Sequence, residues 1–103
     1  MRDPDPFPTS VDLDRAANTL TIVWEDGATT SYTGERLRWA CPCAECRGEA
    51  GQPGRLDQPG ATLKPDDLQL ETVGLIGQYA LQVGFRSGHD TGLYTFRHLR
   101  SLA

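Results

Sequence analysis

The 103-residue sequence predicts a single small α+β domain. Its expected core is a mostly antiparallel β-sheet built from two hairpin-plus-short-helix units and stapled by a metal site. Three observations lead there. Apolar and polar residues alternate in "LTIVW" and "YALQVGF", the period of half-buried strands. Thr33 and Thr95 stand where a threonine hydroxyl caps a short helix. The two halves also echo each other: Tyr32 precedes Leu37-Arg38 by five positions, and Tyr94 precedes Leu99-Arg100 by five.

Residues 1–9 hold three prolines and read as an extended, disordered arm, which places the domain at 10–103. Val11 and Leu13 then alternate with Asp12 and Asp14. After a turn near Ala17-Asn18, Leu20, Ile22 and Trp24 alternate with Thr19, Thr21 and Val23. Asp26-Gly27 reverses the chain into a short return strand that ends near Tyr32. Thr33 opens a helix with Glu35 in its first turn, where a carboxylate is favoured. Cys41-Pro42 stops it about Ala40, because the residue before a proline is driven out of helical conformation. The Gly- and Pro-rich stretch 47–63 reads as a long mobile loop with almost nothing apolar to anchor it. Leu68 and Leu70 alternate in the next strand. Tyr79, Leu81, Val83 and Phe85 share one face of the clearest strand, opposite Gln78, Ala80, Gln82 and Gly84. "SGHDTG" is a turn, and Phe96, Leu99 and Leu102 lie on one face of the last helix.

Composition narrows the function classes. The chain is 38% hydrophobic and 23% charged, ordinary for a globular protein, with a formal net charge of −4. That balance argues against sequence-independent nucleic-acid binding, which needs clustered Lys and Arg. Arg86, Arg97, His98 and Arg100 read as a solvated helix face. No stretch approaches the ~20 apolar residues of a membrane span, so no membrane partner is expected. The first residues lack the apolar core of a secretory signal. The expected compartment is the cytoplasm, where thiols stay reduced.

The cysteines carry the chemistry. Cys41, Cys43 and Cys46 are the only three in the chain and fall within six residues, "CPCAEC". A disulfide would leave one thiol over, in a compartment that disfavours disulfides. A redox pair at Cys43-x-x-Cys46 would open a helix within a βαβ unit, whereas this motif trails a helix. Three inert buried thiols would be an odd coincidence of spacing. Metal binding fits best: the C-x-x-C turn brings two thiolates onto one ion, and Cys41 supplies a third beyond a rigid proline. Zinc takes four tetrahedral ligands, and three thiolates call for a histidine. His89, at a turn tip between Gly88 and Gly92, is preferred to His98, which reads as an exposed helix residue. The repeat places the second hairpin's turn near the end of the first helix. A site of Cys41, Cys43, Cys46 and His89 is closed, so its Zn2+ would be structural. An iron–sulfur cluster on the same ligands is the alternative.

"VWEDG", "ERLRWACPCAEC" and "SGHDTGLYTFRHLR" together resemble the gamma-butyrobetaine hydroxylase-like N-terminal domain family, over roughly residues 10–102. The resemblance implies a small α+β fold and a structural zinc on Cys41, Cys43, Cys46 and His89. Hydroxylases carrying this domain place an iron- and 2-oxoglutarate-dependent domain after it. These 103 residues have no counterpart of that domain and no His-x-Asp pair, so hydroxylase activity is not expected. Similar domains are also fused to Mrp-type ATPases that handle iron–sulfur clusters. The expectation is a non-catalytic zinc-binding module that engages a protein partner or forms a homodimer. The alternative is an accessory in iron–sulfur cluster assembly or carriage, working with an Mrp-type ATPase or an oxygenase. Asp26, Glu35 and Asp90 read as turn and cap residues.

Overall fold

The computed structural model describes residues 7–49, 52–54, 56, 58, 60–90 and 92–103. Strands β1 (Pro8–Asp14), β2 (Thr19–Trp24) and β3 (Thr29–Thr33) form an antiparallel sheet in that order, and helix α1 (Gly34–Trp39) follows at once. A one-turn helix α2 (Ala44–Arg47) and a small ribbon, β4 (Gly48–Glu49) with β5 (Gln52–Pro53), come next. The turn α3 (Pro65–Leu68) leads into a second antiparallel sheet of β6 (Leu70–Ile76), β7 (Ala80–Phe85) and β8 (Gly92–Thr95), closed by α4 (Phe96–Leu102). Each unit is therefore a three-stranded meander plus a short helix. The units do not merge into one sheet, because each keeps its own antiparallel ladder.

Sequence explains the elements locally. Leu20, Ile22 and Trp24 turn inward from β2, as Leu81, Val83 and Phe85 do from β7, and all six join one core cluster. The Thr33 hydroxyl accepts from Arg36 N and the Thr95 hydroxyl from His98 N, each at 3.1 Å. Two turns are built alike. Trp24 N donates to Ala28 O and Gly27 N to Trp24 O; Phe85 N donates to His89 O and Gly88 N to Phe85 O. Gly27 and Gly88 have φ of 90° and 96°, which only glycine adopts without strain.

The repeat is also reciprocal in space. Tyr32 of the first unit donates to the Leu99 carbonyl of the second at 2.7 Å, and Tyr94 of the second donates to the Leu37 carbonyl of the first. Arg38 lies over the Phe85 ring, with Cζ 5.9 Å from the centroid, and Arg100 lies over the Trp24 ring at 5.3 Å. Each helix is thus fastened by the other unit's strand and ring. Tyr32→Phe leaves the buried Leu99 carbonyl without that donor. We expect it to cost about 1–2 kcal/mol in urea unfolding, the penalty of an orphaned buried acceptor. A loss near zero would show that the reciprocal bonds are incidental.

Four expectations are corrected. Residues 1–6 lie outside the described residues, but Pro8 and Thr9 belong to β1 rather than to an arm. Phe7 O accepts from Glu25 N at 2.9 Å, and the Phe7 ring meets Phe96 edge-on at 5.4 Å, so Phe7 is the apolar anchor. Pro8 stands at the first position of an edge strand, where a missing N–H is tolerated. The stretch 47–63 is not structureless: it holds the β4–β5 ribbon and Leu56, which is 8% exposed within the core cluster. Residues 50, 51, 55, 57 and 59 lie outside the described residues. Leu68 ends the α3 turn rather than starting the strand, since Pro65 at the first helical position and Asp67 bonding back to Lys64 N favour helix there. Tyr79 sits in the β6–β7 turn, 54% exposed, while Ala80 and Gly84 on the supposed outer face of β7 are buried.

Candidate metal centre

The "CPCAEC" stretch folds as a helix end followed by a tight turn. Cys41 N still donates to Arg38 O at 3.2 Å, the last bond of α1. Beyond Pro42, Cys46 N and Arg47 N both donate to Cys43 O, at 3.1 and 2.9 Å, so the C-x-x-C pair closes on itself. Arg47 Nε donates to Cys41 O at 2.9 Å, and another of its nitrogens reaches Trp39 O. That clasp ties the first cysteine to the turn carrying the other two. Nothing in the spacing announced Arg47; an arginine after C-x-x-C reads as solvent-facing.

Across from it, the β7–β8 turn delivers His89. Its Nε2 lies 3.3 Å from Cys41 Sγ and 3.7 Å from both Cys43 Sγ and Cys46 Sγ. Cys41 and Cys43 sulfurs are 3.5 Å apart, well beyond a disulfide bond. All four donor atoms lie within 4.8 Å of one another. On a tetrahedral zinc, with bonds of about 2.3 Å to sulfur and 2.0 Å to nitrogen, S···S is about 3.8 Å and S···N about 3.5 Å. The donor set and its spacing fit such an ion. The structure thus brings together all four side chains singled out in the sequence: Cys41 and Cys46 are fully buried, Cys43 and His89 half-buried. Gly92 makes room for the site: a Cβ there would lie 2.9 Å from Cys41 Sγ.

His98 stays apart from this group, and it is not simply exposed. It is half-buried, stacked on Tyr94, with Nε2 3.0 Å from Ala40 O at the end of α1. The last carbonyls of a helix lack partners, and the second unit's histidine meets one. Asp26 serves both its own turn and the other unit: Oδ1 accepts from Ala28 N and the other oxygen pairs with Arg100, interactions that hold its carboxyl below the usual range. Among the described residues, Arg38 alone among charged side chains is fully buried, and its Nη1 donates to Cys46 Sγ at 3.1 Å.

Burial governs the thiols when no metal is bound. It pushes Cys41 from 9.0 up to about 12 and moves Cys46 in the same direction. Raised thiols hold their protons more tightly folded than unfolded. Their contribution to stability is complete below about pH 9 and is lost as pH rises toward about 12. We expect chelator-treated protein to lose urea resistance over that window. Metal-loaded protein is expected to lose it instead on acidification, as protons compete for the donors. A chelated protein indifferent to pH over the alkaline window would contradict the buried-thiol geometry.

Fold and site together define a small α+β domain with a closed group of three cysteines and one histidine capable of holding a metal ion. The family model described as "gamma-butyrobetaine hydroxylase-like, N-terminal" matches residues 11–100, and the chain belongs to that family. A crystal structure of a protein of unknown function of the DUF971 family, from Acidithiobacillus ferrooxidans, is similar over 98% of this chain and 97% of that one, at 31% identity and TM-score 0.71. Two NMR solution structures match as well. One has 31% identity and TM-score 0.68, covering 97% of this chain and 74% of that one. The other has 29% identity and TM-score 0.71, covering 100% and 75%. No curated protein matches. No helix among the described residues is long and apolar enough to cross a membrane.

Proposed function

We propose that this is a non-catalytic domain in which Cys41, Cys43, Cys46 and His89 hold one structural zinc ion. The observation that carries the reading is the mutual spacing of the four donors, all within 4.8 Å. A single ion gathers its ligands at that distance, whereas a multi-iron cluster spreads its cysteines over separate irons. The donor set is complete at four, so the ion offers folding energy rather than an open position for a reacting water. It would tie the end of α1 and the α2 turn to the β7–β8 turn, joining the two units where their backbones are least regular.

A module so stapled is best suited to docking, on a protein partner or on a second copy of itself, in a reducing compartment such as the cytoplasm. The net charge of −4 supports a protein rather than a nucleic acid as the partner. The test is anaerobic purification without added metal, followed by elemental analysis and a visible spectrum. We expect one zinc per chain and no colour. A brown protein with iron and sulfide would replace the zinc reading with cluster carriage, in the service of an Mrp-type ATPase or an oxygenase.

A further inference from the structure

The reciprocal halves pose a question at Arg38. Its counterpart Arg100 lies over Trp24 and forms an ion pair with Asp26 at 3.0 Å. Arg38 lies over Phe85 in the same way, but the turn position matching Asp26 is Ser87, which carries no charge. Arg38 is nevertheless the more deeply buried, at 0% exposure, and its Nε and Nη2 find no acceptor among the described residues. A guanidinium does not shed its proton, and a buried cation without an anion is strongly unfavourable. The acceptor it does have is sulfur: Nη1 donates to Cys46 Sγ at 3.1 Å, and that sulfur is an anion only when a metal displaces the thiol proton.

We propose that Arg38 is the built-in countercharge of the metal–thiolate centre, taking there the pairing that Asp26 gives Arg100. This rests on the zinc reading above. Three thiolates, a neutral imidazole and a divalent ion leave one net negative charge, which a single guanidinium matches. Arg38 is thus a positioning residue: it orients Cys46 and favours the fully deprotonated ligand set, without touching the ion. Metal occupancy in turn supplies the charge that justifies burying Arg38. The two states are coupled, so the empty site holds an uncompensated cation.

The test compares wild type with Arg38→Met, similar in length but uncharged. Zinc affinity is read by competition with a chromophoric chelator, and melting temperature is read with and without excess chelator. Arg38→Met is expected to bind zinc at least tenfold more weakly, the scale of losing an orienting partner. In chelator the same variant is expected to melt at or above wild type, since it no longer buries an unpaired charge. A purely structural arginine would lower both readings, and that result overturns the proposal, as does unchanged affinity. Wild type that binds no zinc in the same titration would defeat the metal reading itself.

If Arg38→Met yields no folded protein, Ser87→Asp decides. It offers Arg38 the carboxylate that Arg100 already has. It should raise the melting temperature of chelated protein relative to its effect on zinc-loaded protein. Equal shifts in the two states overturn the countercharge.

Discussion

Replacing Cys46 by alanine is expected to abolish zinc binding and to lower the melting temperature to that of chelator-stripped wild type or below. The magnitude follows from comparing two energies. A structural zinc contributes about 10–16 kcal/mol in small metal-dependent domains. A whole domain of this size is stable by only about 5–15 kcal/mol. Losing one thiolate of the four ligands forfeits most of the first quantity, a loss on the scale of the second, and leaves only the residual stability of the stripped domain. Cys46 is also fully buried, so part of the loss is packing. The two contributions separate in chelator. If metal dominates, wild type and variant converge once zinc is stripped from both. A gap that persists undiminished in chelator would assign Cys46 to the core and sink the staple. His89→Ala is the companion variant, half-buried and therefore lighter on packing. Zinc retained at full stoichiometry with an unchanged melting temperature would exclude His89 as the fourth ligand.

Those four residues were visible in the sequence because local rules placed them. C-x-x-C spacing can bring two thiolates onto one ion, Cys41-Pro42 ends a helix, and Gly88 sets a turn tip beside His89. The 42 residues between Cys46 and His89 were not needed, since the repeat already implied that one unit's turn lies near the other's helix. The repeat carried more than it first showed: the same Tyr, Thr, Leu and Arg positions became caps, crossed hydrogen bonds and crossed ring contacts. What stayed hidden was decided at long range. Arg38 reads as a surface residue until Phe85 and Cys46 close over it. His98 reads as exposed until Ala40 presents a carbonyl. Phe7 and Leu56 sit among prolines and glycines, so no period marks them as core, yet each is one apolar side chain held where the fold has room. One sheet or two was equally illegible, because alternation fixes which face of a strand is buried but not which edges pair.

Gly54→Ala should be among the most damaging single methyl additions in the chain, although it lies in the stretch that looked least structured. Gly54 is buried, and a Cβ there would overlap the Cys46 carbonyl and the Gly48 nitrogen. Both obstacles are backbone, which cannot rotate away as a side chain can. Overpacking of this kind costs about 1–3 kcal/mol or more. The cost also falls on the metal. The displaced carbonyl belongs to Cys46, whose sulfur is 3.7 Å from His89 Nε2, so any shift moves a ligand. A loss of zinc affinity of about 10–100-fold is expected, as when an orienting partner is removed. Gly74→Ala provides the contrast. It lies in β6 with nothing within 4 Å of its Cβ position, and the same methyl there should be neutral or mildly stabilising. Should Gly54→Ala match Gly74→Ala in both melting temperature and zinc affinity, the return of the chain against α2 is not part of the site. If it loses both, the Gly- and Pro-rich stretch is the brace that holds Cys46 in place. Its glycine then serves for closeness of approach rather than freedom of motion.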